Sequence, residues 1–357
     1  MKVVTVIGNR PQFVKAAAVS RRLREAHDEV LVHTGQHYDD ELSTVFVEEL
    51  GIPRPEIELG LGGGTNTEQT GRMLAALAPL LAEHRPDAVL VYGDTNSTLA
   101  GGLAAAQANI PVAHVEAGMR SFDRRMPEEL NRVLTDHLST LLLAPSDTAV
   151  ANLEREHVAG AVEQVGDVMV DVAMLIQPRA IEDTGAPARL GAPASGFILA
   201  TAHRAGNVDD PARLRRLVDV LRGVDGPVVL PLHPRTRARL QNAGLLDELA
   251  GAVTLTAPLG YLNFTALLVR SRAVLTDSGG VQKEAYLAGV PCVTMRDTTE
   301  WVETVQTGWN TLVDLDLDRA LAALAATPPS DRPQLYGDGE SGARVVAALA
   351  RLASDTR

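Results

Sequence analysis

The chain has 357 residues, more than one hydrophobic core usually serves, so two domains of roughly 170 residues are expected. Its 45 acidic side chains against 33 basic ones give a net charge of −12, which argues against a nucleic acid or an anionic membrane as the main partner and for a small ligand. The single cysteine, Cys292, excludes an internal disulfide and a cysteine-based metal site and suits a reducing cytoplasm, and no apolar run nears the ~20 residues of a membrane-spanning helix.

Taken in order, Val3 to Ile7 predicts a first strand and not a signal peptide, because the apolar run stops at Asn9-Arg-Pro11 and Lys15 follows. Gly8-Asn-Arg-Pro-Gln12 is then a strand-to-helix turn with Pro11 at the helix start. Arg10 and Lys15 stand near its mouth, where cations can meet phosphate or sugar oxygens, although Lys15 also reads as a solvent-facing helix residue. Further strands are predicted at Glu29 to His33, Ala88 to Tyr92, Val112 to Val115, Leu141 to Ala144 and Val162 to Val165, each followed by an Ala-, Leu- and Arg-rich helical stretch. Gly60-Leu-Gly-Gly-Gly64 forms a loop before a helix that begins near Thr67. After Gln177 to Ser195, rich in Pro, Gly, Ala and charge, the series restarts with Phe197 to Thr201, Pro227 to Leu232, Val253 to Thr256, Ala273 to Thr276 and Pro291 to Met295. The expected architecture is α/β, two doubly wound parallel sheets, with a boundary near residue 170.

Ligands of such sheets bind outside the carboxyl ends of the strands, so the residues there carry the functional reading. Ala113-His-Val-Glu-Ala-Gly-Met-Arg120 and Pro127-Glu-Glu-Leu-Asn-Arg132 gather Glu116, Glu128 and Glu129 with a His and two Arg around one strand-to-helix junction. Gly93-Asp94-Thr95 ends the preceding strand, where Asp94 reads equally as a helix N-cap and as a catalytic group. In the second half, His203 ends the first strand and His233 the second. Leu275-Thr-Asp-Ser-Gly-Gly-Val-Gln-Lys-Glu284 runs from strand through Ser278-Gly279-Gly280 into a helix, presenting backbone N–H groups that fit a diphosphate, with Glu284 one to two turns further on to accept from ribose hydroxyls.

Other signatures fail. No Walker loop occurs, and Gly337-Asp-Gly339-Glu-Ser-Gly342 follows a Pro-rich loop and not a strand, so bound NAD has no support and no cofactor is expected. His114-Val-Glu116 matches half of a zinc-deaminase pattern whose two cysteines are missing, so no metal is expected either.

The ordered series Gly8-x-Arg-Pro, Gly35-Gln-His37, Tyr92-Gly-Asp94-Thr, His114-Val-Glu-Ala-Gly118, Pro127-Glu-Glu129-x-Asn-Arg132, Asp277-Ser-Gly-Gly280-x-Gln-x-Glu284 and Arg296-Asp-Thr-Thr-Glu300 resembles the non-hydrolysing UDP-N-acetylglucosamine 2-epimerases over almost the whole chain. The resemblance implies a glycosyltransferase-B fold, with Rossmann-like domains at 1–170 and 171–339 facing across a cleft and a C-terminal helix, 340–357, packing back on the first. It also implies a cytoplasmic homodimer that interconverts UDP-GlcNAc and UDP-ManNAc for cell-surface polysaccharide synthesis.

The C2 proton of such a sugar is not acidic, and no NAD site exists to oxidise a neighbouring hydroxyl. Elimination supplies a route: a base takes the C2 proton as the C1–O bond to UDP breaks, and UDP re-adds to the 2-acetamidoglucal while a proton arrives on the opposite face. The resemblance places the acid/base candidates on Asp94, Glu116 and Glu128, with His203 beside the diphosphate or leaving oxygen. It carries binding roles to Arg10, Lys15, Phe264 (uracil), Ser278, Gly279, Gly280 and Glu284, and an activator site for a second UDP-GlcNAc to Gln36, His37 and His233. Departures accompany it. Asn9 and Gln12 replace a Thr and a Glu, and Phe13-Val-Lys15 looks more like archaeal members and enzymes acting on UDP-2,3-diacetamido uronic acids. Gly206 and Trp301 stand where Glu and Arg occur, and Asp39 where activator-binding members can carry Gln. A glycosyltransferase of the same fold and a catalytically silent nucleotide-sugar sensor are the alternatives.

Overall fold

The computed structural model describes residues 1–36, 51 and 53–355. They divide into two compact units, Met1–Met174 with Gln334 onward, and Leu175–Pro333. The helix Val168–Glu182 carries the chain from the first unit to the second, so the boundary expected near residue 170 lies inside a helix that continues through Pro178.

The first unit holds β1 (Lys2–Ile7), β2 (Asp28–His33), β3 (Ile57–Glu58), β4 (Ala88–Tyr92), β5 (Val112–Val115), β6 (Leu141–Ala144) and β7 (Ala161–Gln164), in the spatial order β3-β2-β1-β4-β5-β6-β7. Every pairing is parallel. Continuous β-branched runs such as Val3-Val4-Thr5-Val6-Ile7 are buried throughout because helices cover both faces. The second unit holds β8 (Ile198–Thr201), β9 (Val228–Pro231), β10 (Thr254–Thr256), β11 (Ala273–Thr276), β12 (Cys292–Thr294) and β13 (Asn310–Leu312), also all parallel, in the order β10-β9-β8-β11-β12-β13. The two units therefore repeat one plan, with a switch point between β1 and β4 in the first and between β8 and β11 in the second.

Local sequence starts the helices that follow these strands. Asn9 caps Arg10–Ala26 by accepting from the Gln12 N–H at 3.2 Å, with Pro11 in the first turn. The helix Ser341–Asp355 belongs to the first unit. Asp171 accepts from the Ser341 and Gly342 N–H groups, Glu340 pairs with Arg22, and a Cβ on Gly342 would lie 2.2 Å from the Ala18 carbonyl oxygen, so the C-terminal helix meets Arg10–Ala26 at backbone distance. Cys292 is buried in β12, and burial pushes its thiol up to about 12, far from reactive thiolate chemistry. Among the described residues no helix is long and apolar enough to cross a membrane.

Candidate functional site

In the first unit the strand ends at the switch point are drawn together by side chains. Gly8 follows β1 where a Cβ would lie 1.8 Å from Ser97 Oγ and 2.5 Å from Thr34 Oγ1, a space only glycine leaves open. The Gly8 N–H donates to Gln12 Oε1 at 2.7 Å, and the buried Gln12 amide donates onward to the Tyr92 carbonyl and Thr98 Oγ1, tying the turn after β1 to the turn after β4. The Gln that departs from the family pattern is thus a hydrogen-bonded joint between two loops.

Asp94 does not cap the following helix. Thr95 does, with Thr98 completing a capping box, which leaves the Asp94 carboxylate 27 % exposed and ion-paired to Arg132. Arg132, on the helix Pro127–Leu138, also donates to Glu129 at 2.9 Å. Glu129 is buried, and burial raises its pKa; donation from the Ser121 N–H and hydroxyl and the Phe122 N–H, with the Arg132 charge, outweighs that and holds it below its ordinary 4.5. Its neighbour Glu128 is exposed in the first turn of the same helix. Two adjacent glutamates are thereby separated, one hydrogen-bonded into the scaffold and one exposed.

Glu116 ends β5 in left-handed backbone, φ +71°, a conformation that costs a side-chain-bearing residue about 1–2 kcal/mol. Its carboxylate pairs with Lys15, both side chains being mostly buried at 10 % and 14 % exposure, so Lys15 turns inward and not to solvent. Gly93 packs beneath this pair: a Cβ there would lie 3.0 Å from Lys15 Nζ and 3.1 Å from Glu116 Oε2. Asp94, Glu116 and Lys15 consequently gather at the ends of the adjacent strands β4 and β5. Arg10 occupies the first position of its helix.

Below them His114 is fully buried on β5, with Nδ1 2.7 Å from Asp136 and Nε2 2.7 Å from the Gly93 carbonyl oxygen. Asp136 further accepts from the Gly118 N–H at 3.1 Å and from Arg120 at 2.7 Å. Burial would raise Asp136; His114 and Arg120 reverse that and hold its carboxyl below the ordinary 3.8.

In the second unit Asp277 follows β11 and is fully buried. It accepts from the backbone N–H groups of His203 and Arg204 at 3.0–3.1 Å and from the Asn207 amide, anchoring the loop after β8. Ser278 caps the helix Gly279–Ala288, its side chain accepting from the Val281 N–H at the start of the helix. A Cβ on Gly279 would lie 2.1 Å from Glu300 Oε1, so the buried Glu300 carboxylate, paired with Arg296 at 3.0 Å and 3.6 Å from Arg204, walls the cradle. The His203 side chain stays 41 % exposed while atoms crowd its other sides; that desolvation, with the charges of Arg204 and Arg235, lowers its pKa against the pull of Asp277. His233 stacks on it, ring centroids 5.5 Å apart, and accepts from the Arg235 N–H as cap of the helix Pro234–Asn242.

Phe264 is 8 % exposed and packs in a core cluster with Phe197, Leu267 and Val274; Glu284 is half-buried one turn into its helix. Gln36 lies in the first unit, where its carboxamide oxygen accepts from the Ser97 N–H and hydroxyl, and His37 and Asp39 lie outside the described residues. Trp301 is buried, with Lys283 Nζ 4.1 Å over its ring, so a cation stands beside the position where an Arg is replaced. Sequence reasoning counted Arg132 in the junction and Asp277 in the glycine-turn motif without giving either a role, and it did not reach Asp136. The signals were present: Arg132 lies one turn after Glu128 and Glu129, and Asp277 occupies the strand end before the glycine turn. Among the described residues no cluster of three or more His, Cys, Asp or Glu side chains is arranged to hold a metal ion.

A sequence model of the UDP-N-acetylglucosamine 2-epimerase family matches residues 21–350. The chain is similar to the UDP-2,3-diacetamido-2,3-dideoxy-D-glucuronate 2-epimerase of Pseudomonas aeruginosa, 49 % identical with 99 % of this chain and 100 % of the relative covered. It is 40 % identical to the UDP-N-acetylglucosamine 2-epimerase of Methanocaldococcus jannaschii, covering 98 % and 99 %. The crystal structure of the Methanocaldococcus jannaschii enzyme with UDP-GlcNAc and UDP superposes with a TM-score of 0.93 at 40 % identity, covering 98 % of this chain and 100 % of that one.

Proposed function

This chain belongs to the UDP-N-acetylglucosamine 2-epimerase family, and we propose that it interconverts the C2 epimers of a UDP-2-acetamido sugar by eliminating and re-adding UDP. The observation that carries the reading is the pairing of Asp94 with Arg132 and of Glu116 with Lys15 at neighbouring strand ends. Each carboxylate has a cation against it that fixes its orientation, and Glu128 is exposed in the first turn of the helix that carries Arg132.

In this reading Asp94, Glu116 and Glu128 share proton removal and delivery at C2. Within the second unit the leaving UDP is held by the N–H groups of Ser278, Gly279 and Gly280 and by His203 at the leaving oxygen, with Phe264 and Glu284 toward the nucleoside, and within the first Lys15 is the binding cation beside Glu116. Charge then flows into a stabilised diphosphate and not into a carbanion. No cofactor enters these steps.

Two sugars are candidates. The 49 % relative favours UDP-2,3-diacetamido-2,3-dideoxyglucuronate, while UDP-GlcNAc is the substrate named for the 40 % relative. Purified protein in D2O with each UDP-sugar in turn is the test, read by proton NMR. Appearance of the C2 epimer with deuterium at C2, and UDP with a glycal in trace, supports the reading. Unchanged proton at C2 in both sugars overturns it; release of the free sugar would assign a hydrolysing reaction instead.

We further propose a homodimer in the cytoplasm. Phe122, Leu130 and Leu134 are 66 %, 40 % and 50 % exposed, the last two one turn apart on Pro127–Leu138, an apolar face that a second copy would cover.

A further inference from the structure

We propose that His114 is a positioning residue for the acid/base site: its ring, braced by Asp136, donates to the Gly93 carbonyl and so fixes the peptide that carries Asp94. The proposal rests on the epimerase reading of Asp94 and Glu116 given above.

The geometry is specific to Gly93. Its N–H donates to the Val115 carbonyl at 3.0 Å and its carbonyl receives His114 Nε2 at 2.7 Å, so both ends of this residue are held by β5. Gly93 has φ +63°, in the turn that follows β4, and the imidazole of His114 partners its carbonyl. A carbonyl only accepts, so Nε2 carries a proton. On the far side of Asp94, its own carbonyl accepts from the Asn131 side chain at 3.0 Å. The peptide groups before and after Asp94 are therefore clamped from two elements, β5 and the helix Pro127–Leu138, while the carboxylate is left to Arg132 and the ligand.

His114 is itself held from behind. Asp136 on that same helix accepts from Nδ1 at 2.7 Å, from Arg120 and from the Gly118 N–H, and Arg120 is fixed by a bidentate pair with Glu156. All of His114, Asp136 and Arg120 are buried, so the chain of bonds is kept from water. Glu116 follows His114 by two residues on the same strand end. One ring thus sets the spacing between the two carboxylates proposed to work on C2, and a displacement of the order of 1 Å in such a group can cost about 100-fold in rate.

The test separates the two ring nitrogens. In H114Q the amide nitrogen reaches roughly where Nε2 lies, whereas in H114N the shorter side chain reaches only the Nδ1 position, toward Asp136. Steady-state kinetics of wild type and both variants, with the folded fraction taken from thermal melts, should show kcat of H114N reduced about tenfold to 100-fold with KM changed by less than about threefold, and H114Q restored to within about fivefold of wild type. Equal losses in both variants, or a folded H114N with wild-type kcat, overturn the proposal. If H114N does not fold, the decisive measurement is on wild type: nitrogen-15 NMR should show a slowly exchanging ring proton on Nε2, and its absence overturns the proposal. A wild type that turns over no UDP-sugar refutes the epimerase reading and this proposal with it, an outcome the wild-type control distinguishes from failure of H114N alone.

Discussion

Gly279→Ala tests the diphosphate cradle at its tightest point. The added Cβ would sit 2.1 Å from Glu300 Oε1 and 3.1 Å from its Cδ, where carbon contacts relax to about 3.5 Å, so one atom must retreat by about 1.4 Å. Glu300 is only 6 % exposed and paired with Arg296, which denies it a free rotamer. Overpacking of this kind costs about 1–3 kcal/mol, toward the upper end if the Arg296 pair is broken. The helix start itself is undemanding, since Gly279 lies in ordinary helical backbone and Ala is a better helix former. The loss should therefore appear in ligand binding more than in folding: titration calorimetry with UDP should show Kd raised about tenfold or more, with Tm lowered by a few degrees. Relieving the clash by the double substitution G279A/E300A should return Tm toward wild type. A G279A variant that binds UDP with unchanged Kd would refute the assignment of these N–H groups to the diphosphate.

Ser278→Ala is a milder change at the same turn: the capping contact to the Val281 N–H is long, 3.5 Å, so stability should fall by less than about 1 kcal/mol in urea unfolding, and UDP affinity far less than in G279A. Glu129→Gln has a signed pH dependence. Its folded pKa lies below the ordinary 4.5, so the stability it contributes is complete above that value and is lost as pH falls through the folded pKa; the gap between wild type and E129Q in urea melts should be constant near neutrality and close in acid. A gap that widens on acidification would contradict the ion-pair role given to Glu129. Leu130→Asp with Leu134→Asp should shift a dimer to monomer in light scattering at unchanged helix content, and a species of the same mass would place the interface elsewhere.

How much of this was legible in the chain depends on the length and period of each signal. The long apolar strands, from Val3 to Ile7 and from Ala88 to Tyr92, announced a buried parallel sheet, and the two series announced its repetition. Ile57–Glu58 and Asn310–Leu312 did not, because two or three residues carry no period; they are strands by virtue of pairing with His33 and Cys292. Gln177 to Ser195, placed between the two series from its Pro, Gly, Ala and charge, includes the end of the helix Val168–Glu182, with Pro178 inside it, and the short helix Ala186–Arg189. For the site, position at a strand end pointed to Asp94, Glu116 and Ser278 as candidates, but Thr95 took the cap that Asp94 could equally have filled. Nor could spacing distinguish Glu128 from Glu129, since only the tertiary placement of Ser121, Phe122 and Arg132 commits one of them to the scaffold.

The repeated strand order gives two equivalent switch points opposite chemistry, and the difference lies in what closes each turn. In the first unit the β4 turn ends on Gly93, whose missing Cβ lets Lys15 and Glu116 pack beneath it, and Asp94 is presented as a carboxylate against Arg132. In the second unit the equivalent strand β11 also ends on an aspartate, Asp277, but this one is turned inward and consumed by the N–H groups of His203 and Arg204. The same residue type thus serves as a displayed acid in one unit and as a buried anchor in the other. A second consequence concerns charge. An acidic protein repels a nucleotide diphosphate at long range, so attraction must come from a site whose own carboxylates are already satisfied. Asp277 meets that condition, taken up by the N–H groups of His203 and Arg204 and by the Asn207 amide, and the helix start at Gly279 is left with its N–H groups available for an incoming anion.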